Sequence, residues 1–223
     1  MKQKLILAAF LVFLSAASFA QSVVASKHDL STGGGITNKS TNESQVCIFC
    51  HTPHQKTITA TPLWNKTLSA QATYGVYASS TLNATVADVG GASTVSNLCL
   101  SCHDGTVAVN SLDNKSSIGT PTMGTGTELD ATGKIAAGRE ALIGISLTND
   151  HPINFTYDAA LATTDGGLVS PTSASYVDVA HTIPLYSGKL QCASCHNPHN
   201  NANFSFLRKA NSGSALCITC HNK

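Results

Sequence analysis

The chain has 223 residues, is 42% hydrophobic but only 6% aromatic, and carries a formal net charge of +1. So balanced a charge excludes the basic patch that nucleic-acid binding requires. Few aromatics and long Ser, Thr, Asn, Gly and Ala stretches without a sustained 3.6 or 2.0 period exclude a large side-chain core, so something else must fill the interior.

Residues 1–20 have the layout of a secretory signal peptide: Lys2 and Lys4, the apolar run Leu5 to Leu14, then the small-x-small site Ser18-Phe19-Ala20. That run is shorter than the roughly 20 residues a membrane span needs, and no later segment approaches it. The expected mature chain therefore starts at Gln21 as one exported, soluble domain over residues 21–223. Without Lys2 and Lys4, the 13 basic residues fall to 11 against 12 acidic ones, so net charge names no partner.

His28 lies in SKHDLS near the mature start. Asn42, with Gln45 at the capping-box position, predicts a short helix over CIFCH at 47–51. His54 follows in CHTPH, and Tyr74 to Ala78 has weak strand character. Ser96 is the expected N-cap of a helix over CLSCH at 99–103. Ser116 to Gly133 reads as a Gly/Thr-rich surface loop and holds Met123, the one methionine after the leader. His151 precedes Pro152, which biases it to extended backbone, and His181 sits in DVAHTIPLY. CASCH at 192–196 continues into His199 of CHNPH, and Ser214 would cap CITCH at 217–221.

All eight cysteines thus fall in four Cys-x-x-Cys pairs, each followed at once by histidine. This is the attachment signature of c-type haem. On a helical turn, residues i and i+3 share a face. The thiols of Cys47 and Cys50, Cys99 and Cys102, Cys192 and Cys195, and Cys217 and Cys220 can therefore each reach the two vinyl groups on one haem edge. His51, His103, His196 and His221 then ligate iron from the proximal side. Zinc binding, a disulfide framework and a redox-active dithiol also use paired cysteines. None of these demands a histidine after every second cysteine. The expected cofactors are four covalent haems c.

Nine histidines are present. Beyond the four proximal ones, His28, His54, His151, His181 and His199 remain, while Met123 could serve one iron at most. Ligand supply points to bis-histidine coordination throughout, with His28, His54, His151 and His199 as the distal set. His181, without a repeated context, is left over. His54 and His199 each sit three residues after a proximal histidine and would reach a neighbouring ring more easily than their own. The motif starts at 47, 99, 192 and 217 lie 52, 93 and 25 residues apart. The last two haems should therefore form a close pair, and the long interval can hold a small lobe. The expected fold is a multihaem cytochrome c: mostly irregular coil, short helices at the Cys-x-x-Cys-His motifs, and a haem chain as the core.

The words KHDLS, CIFCHTPH with PLWN, CLSCHDGTVAVN, DHPINF, LQCASCHNPH, FLRK and LCITCHNK run from His28 to the C-terminus. Together they resemble the extracellular multihaem cytochromes of metal-reducing bacteria, in particular the tetrahaem, filament-forming outer-surface cytochromes of the OmcE type. The resemblance implies low-potential bis-histidine haems in a continuous stack. It also implies head-to-tail self-assembly in which a histidine of one subunit, here His28 or His54, ligates a haem of the next.

The expected function is extracellular electron transfer through a conductive filament, with other multihaem cytochromes or extracellular acceptors as partners, and without enzymatic activity. A soluble periplasmic shuttle is the alternative. A multihaem reductase is a third reading, disfavoured because every iron has a candidate sixth ligand and no Cys-x-x-Cys-Lys marks a substrate haem.

Overall fold

The computed structural model describes residues 22–52, 63–90 and 94–222. The signal-like segment, Pro53 and His54 lie outside them. Among the described residues no helix is long and apolar enough to cross a membrane.

Regular structure is sparse and clusters at the motifs. Helix α1 spans Val95–His103 and contains the second motif whole. Its N-cap is Thr94, whose side chain accepts from the Asn97 N–H at 3.2 Å. The expected cap, Ser96, lies inside the helix and is buried. Thr94 takes the role because its extended backbone (φ −118°, ψ 147°) precedes the first helical residue, as a cap must. The helix stops directly after His103: Gly105 adopts φ 73° and returns its N–H to the Cys102 carbonyl at 3.1 Å. A left-handed residue just past the last turn is the usual glycine stop.

The first and fourth motifs form single 3₁₀ turns, Cys47–Phe49 and Cys217–Thr219, capped by Val46 and Leu216 without side-chain help. Asn42 and Ser214 are therefore not their caps. Asn42 instead accepts from the Thr122 N–H at 2.8 Å, and Gln45 donates its own N–H to Glu43. The third motif opens helix α3, Cys192–Cys195, with Gln191 as N-cap in a capping box with Ser194. Helix α2, Ala159–Asp165, carries no motif and starts on Asp158, which accepts from the Leu161 N–H at 2.8 Å.

One two-stranded antiparallel sheet pairs β1, Phe155–Thr156, with β2, Lys189–Leu190, in the register Phe155↔Leu190. It closes residues 157–188, the later part of the long interval between the second and third motifs, into a lobe. Tyr74 to Ala78 forms no strand; Gly75 makes an isolated bridge to Ser146, and Tyr74 is buried with its hydroxyl donating to Asp104 at 2.7 Å. The segment pairs at Gly75 only, so no ladder extends from it.

Among the described residues, apolar packing is divided between two small clusters. One joins Phe155, Tyr157, Val177, Ile183, Leu185 and Leu190; the other joins Tyr74, Val89, Leu100 and Leu147. The coil elsewhere satisfies its backbone groups with side chains, as buried peptide groups require. Asn38 shows this: it donates to the Gly124 carbonyl and accepts from the Glu128 and Leu129 N–H groups. Residues 116–133 form the expected surface loop, largely exposed and without helix or strand, tied to the N-terminal segment by these bonds and by the buried Leu129 and Pro121.

Candidate metal centres: paired histidines beside four cysteine motifs

Each motif is a tight turn that closes on its first cysteine. The His51 N–H reaches the Cys47 carbonyl at 2.8 Å, His196 reaches Cys192 at 3.1 Å, and His221 reaches Cys217 at 3.0 Å. The histidine then leaves the turn and its backbone is pinned from outside. His51 bridges Trp64, His196 bridges Leu207, and His221 bridges Leu168. For the second motif, the His103 carbonyl accepts from Ile143 and Gly144 at 2.8 and 3.1 Å. The outside partners lie up to 53 residues away, at Leu168 for His221, and motif reading could not have found them.

The imidazoles are also oriented. His103 Nδ1 contacts the Ala141 carbonyl at 2.7 Å, His196 Nδ1 the Ser205 carbonyl at 2.7 Å, and His151 Nδ1 the Pro152 carbonyl at 2.9 Å. A carbonyl can only accept, so Nδ1 carries the proton and Nε2 presents its lone pair. Metal-bound histidines are commonly fixed in this way.

Three proximal histidines face a distal candidate. His51 lies opposite His199 with ring centres 6.0 Å apart and planes at 13°. His103 lies opposite His28 at 6.0 Å and 89°, and His221 opposite His151 at 6.3 Å and 74°. Two imidazoles ligating one metal from opposite sides, each through a bond of about 2 Å, hold their ring centres about 6 Å apart. His28 Nδ1 is buried with no hydrogen-bond partner, and the ring also stacks on Phe206 with centres 4.4 Å apart. Burial first, then the neighbouring His103, His196 and His199, lower its pKa to about 4. Burial likewise lowers His103 and His199. These rings are neutral at pH 7, as metal ligands must be.

Among the described residues no fourth pair of this kind forms at His196. His181 is exposed, stands on a left-handed backbone (φ 55°), and stacks on Tyr176 at 4.3 Å. Met123 bridges Ser40 through its backbone within the 116–133 segment.

The structure joins no two of the eight cysteines in a disulfide, which gives the disulfide-framework reading no support. Nor do they converge as a zinc site would: among the described residues no three His, Cys, Asp or Glu side chains group to hold a metal ion. The thiols follow one another in chain order instead. Cys50, raised to about 12 by burial, also feels Cys102. Cys99 is held protonated chiefly by its hydrogen bond to Cys192. Cys195, raised by burial, feels Cys217, and Cys220, raised by burial to about 11, feels Cys195. The second and third motifs are stapled through Ser96, which donates to the Gln191 side chain and accepts from the Cys192 N–H at 3.1 Å. Exposed apolar side chains stand beside the last two motifs, with Ile218 inside the fourth and Phe204 next to the Ser205 carbonyl that holds His196. The chain therefore offers tethering thiols, opposed imidazoles and uncovered apolar surface at successive motifs, which fits haem c.

Residues 184–223 match the family model of the doubled CXXCH motif. A comparison with curated proteins returned no match. The doubled-motif match covers the third and fourth motifs and supports a multihaem c-type cytochrome, an electron carrier with covalent haem. The few helices and short sheet agree with the mostly coil architecture expected of one.

Proposed function

We propose that this chain is an exported tetrahaem cytochrome that passes electrons along a row of haems and assembles head-to-tail into an extracellular filament. The observation that carries the reading is the set of three opposed histidine pairs, each joining a motif histidine to a spare one at 6.0–6.3 Å. Haem c supplies an iron that takes up and releases one electron. The chain's own groups hold that iron and keep other ligands away.

Cys47 and Cys50, Cys99 and Cys102, Cys192 and Cys195, and Cys217 and Cys220 form the thioether tethers. His51 with His199, His103 with His28, and His221 with His151 would hold the irons. With imidazole on both sides, no coordination position remains for a substrate, which favours transfer over catalysis. For His196 the partner is His54. CHTPH places His54 three residues after His51 as CHNPH places His199 after His196, and His54 is the one expected distal ligand left once His28, His151 and His199 are paired. Because His28 faces His103 of its own chain, His54 is the candidate to reach across a subunit boundary.

The signal-like residues 1–20 support export, and the Ser96 staple between the second and third motifs supports neighbouring haems there. Intact mass and haem staining of secreted protein test the count: four haems are expected, and an apo or zinc-shifted mass ends the reading. Electron microscopy of the same sample tests assembly. Filaments are expected, and monomers at high concentration would leave a soluble periplasmic shuttle.

A further inference from the structure

Lys66 is 1% exposed. Its ammonium donates to the carbonyls of Ala108, Val109 and Ser111 at 3.1, 2.8 and 3.5 Å. Three donors meet three acceptors, all backbone dipoles, which is the satisfied form of a protonated lysine. Burying such a charge without a carboxylate is costly, and a methionine or leucine could fill the same space. Asp113, on the same loop, turns to the Thr67 hydroxyl at the surface instead.

The position of this charge is set by the first motif. Residues 63–65 run antiparallel to 50–52: Thr52 donates to the Leu63 carbonyl at 3.0 Å, Asn65 to the Cys50 carbonyl at 2.9 Å, and His51 bridges Trp64. Lys66 comes next, and its ammonium acts on the Cys50 thiol, opposing the burial that raises it. The three carbonyls belong to the loop that follows the second motif. Asn65 reinforces the same junction by donating to Ile48 at 2.7 Å and to Asn114 at 2.8 Å. A lysine ammonium is therefore locked beside the tether of one haem, shielded from water.

We propose that Lys66 is a positioning and electrostatic residue that raises the reduction potential of the haem held at Cys47 and Cys50. The inference rests on the haem reading above. Reduction of a haem iron adds one negative charge to the site, and a fixed cation nearby stabilises that state. In a buried setting the effect escapes the screening that water and salt impose at a surface. Charge and burial are among the factors that set haem potentials. The row of haems would then have a step built into its first member by the polypeptide.

The test is a potentiometric titration, followed in the visible spectrum, of secreted wild type, K66Q, K66R and S111D, fitted to four one-electron steps. Haem content is measured first by haemochrome absorbance: a chain without haem removes both readings, whereas a loaded chain tests this one alone. In K66Q one step is expected to move to lower potential while three stay in place, and K66R is expected to keep the wild-type value. S111D leaves the lysine intact and adds a carboxylate on the exposed side of the same junction, where the Ser111 hydroxyl meets that of Thr67 at 3.1 Å, so the same step should fall, by less than in K66Q. This variant carries the test if K66Q does not accumulate. A K66Q or S111D titration that overlays the wild type overturns the proposal, as does a fall in K66R equal to that in K66Q.

Discussion

His151 shows how much a single side chain is asked to do. Its Nδ1 is fixed on the Pro152 carbonyl and its ring faces His221 across 6.3 Å. Proline restrains the preceding residue to extended backbone, which helps hold the ring in place. His151→Ala is expected to open one iron, giving a high-spin component that binds carbon monoxide on reduction. His181→Ala should leave the spectra unchanged, since that ring is exposed and stacks on Tyr176. The opposite pattern in the two reduced spectra would exchange their roles. Ser96 is different in kind: fully buried, it joins two motifs through the Gln191 side chain and the Cys192 N–H. Ser96→Ala strands the Cys192 N–H and removes one donor from the Gln191 side chain, and should cost about 1–3 kcal/mol, visible as a lower denaturant midpoint of the haem-loaded protein.

At the scale of the element, α1 is the best-defined unit, and its two ends explain why. Thr94 closes the start and Gly105 the finish, so the Cys99, Cys102 and His103 side chains leave a helix of defined length. Thr94→Ala should destabilise by about 1 kcal/mol through the lost cap. Gly105→Ala should cost about 1–2 kcal/mol, because its backbone is left-handed. An alanine Cβ there would also meet Leu142 Cδ1 at 2.5 Å. Urea unfolding of both variants measures these losses, and a Gly105→Ala protein as stable as wild type would show that the turn can be rebuilt. The first and fourth motifs lack such caps and are single 3₁₀ turns. They depend on bridges from outside, His51 to Trp64 and His221 to Leu168.

At the scale of the whole molecule, two small apolar clusters and a mesh of side-chain-to-backbone bonds hold long coil segments between motifs. Head-to-tail contacts whose rotation does not close give an open filament. A coordination bond across the boundary would add directional strength to a polar interface. His54→Ala is therefore expected to yield secreted monomers with one altered iron and no filaments under the electron microscope, whereas His28→Ala should alter an iron and still polymerise. Filaments of normal length from His54→Ala would remove His54 from the boundary.

The chemistry of attachment was legible in the sequence because it is local: two thiols and a histidine within five residues of a turn need no distant information. The sparse helix content was legible for the same reason, since low aromatic content and absent periodicity act residue by residue. Caps were not legible. Ser96 and Asn42 have the right side chains, yet Thr94 takes the first role and neither Asn42 nor any other side chain takes the second, because capping depends on where backbone dihedrals turn helical. Which spare histidine faces which motif was also beyond the sequence. His28 and His103 are 75 residues apart and His51 and His199 are 148 apart, and only chain packing brings them within 6 Å. The burial of Lys66 belongs to the same class: three carbonyls contributed by a loop more than 40 residues away turn an ordinary surface-type residue into a fixed internal charge.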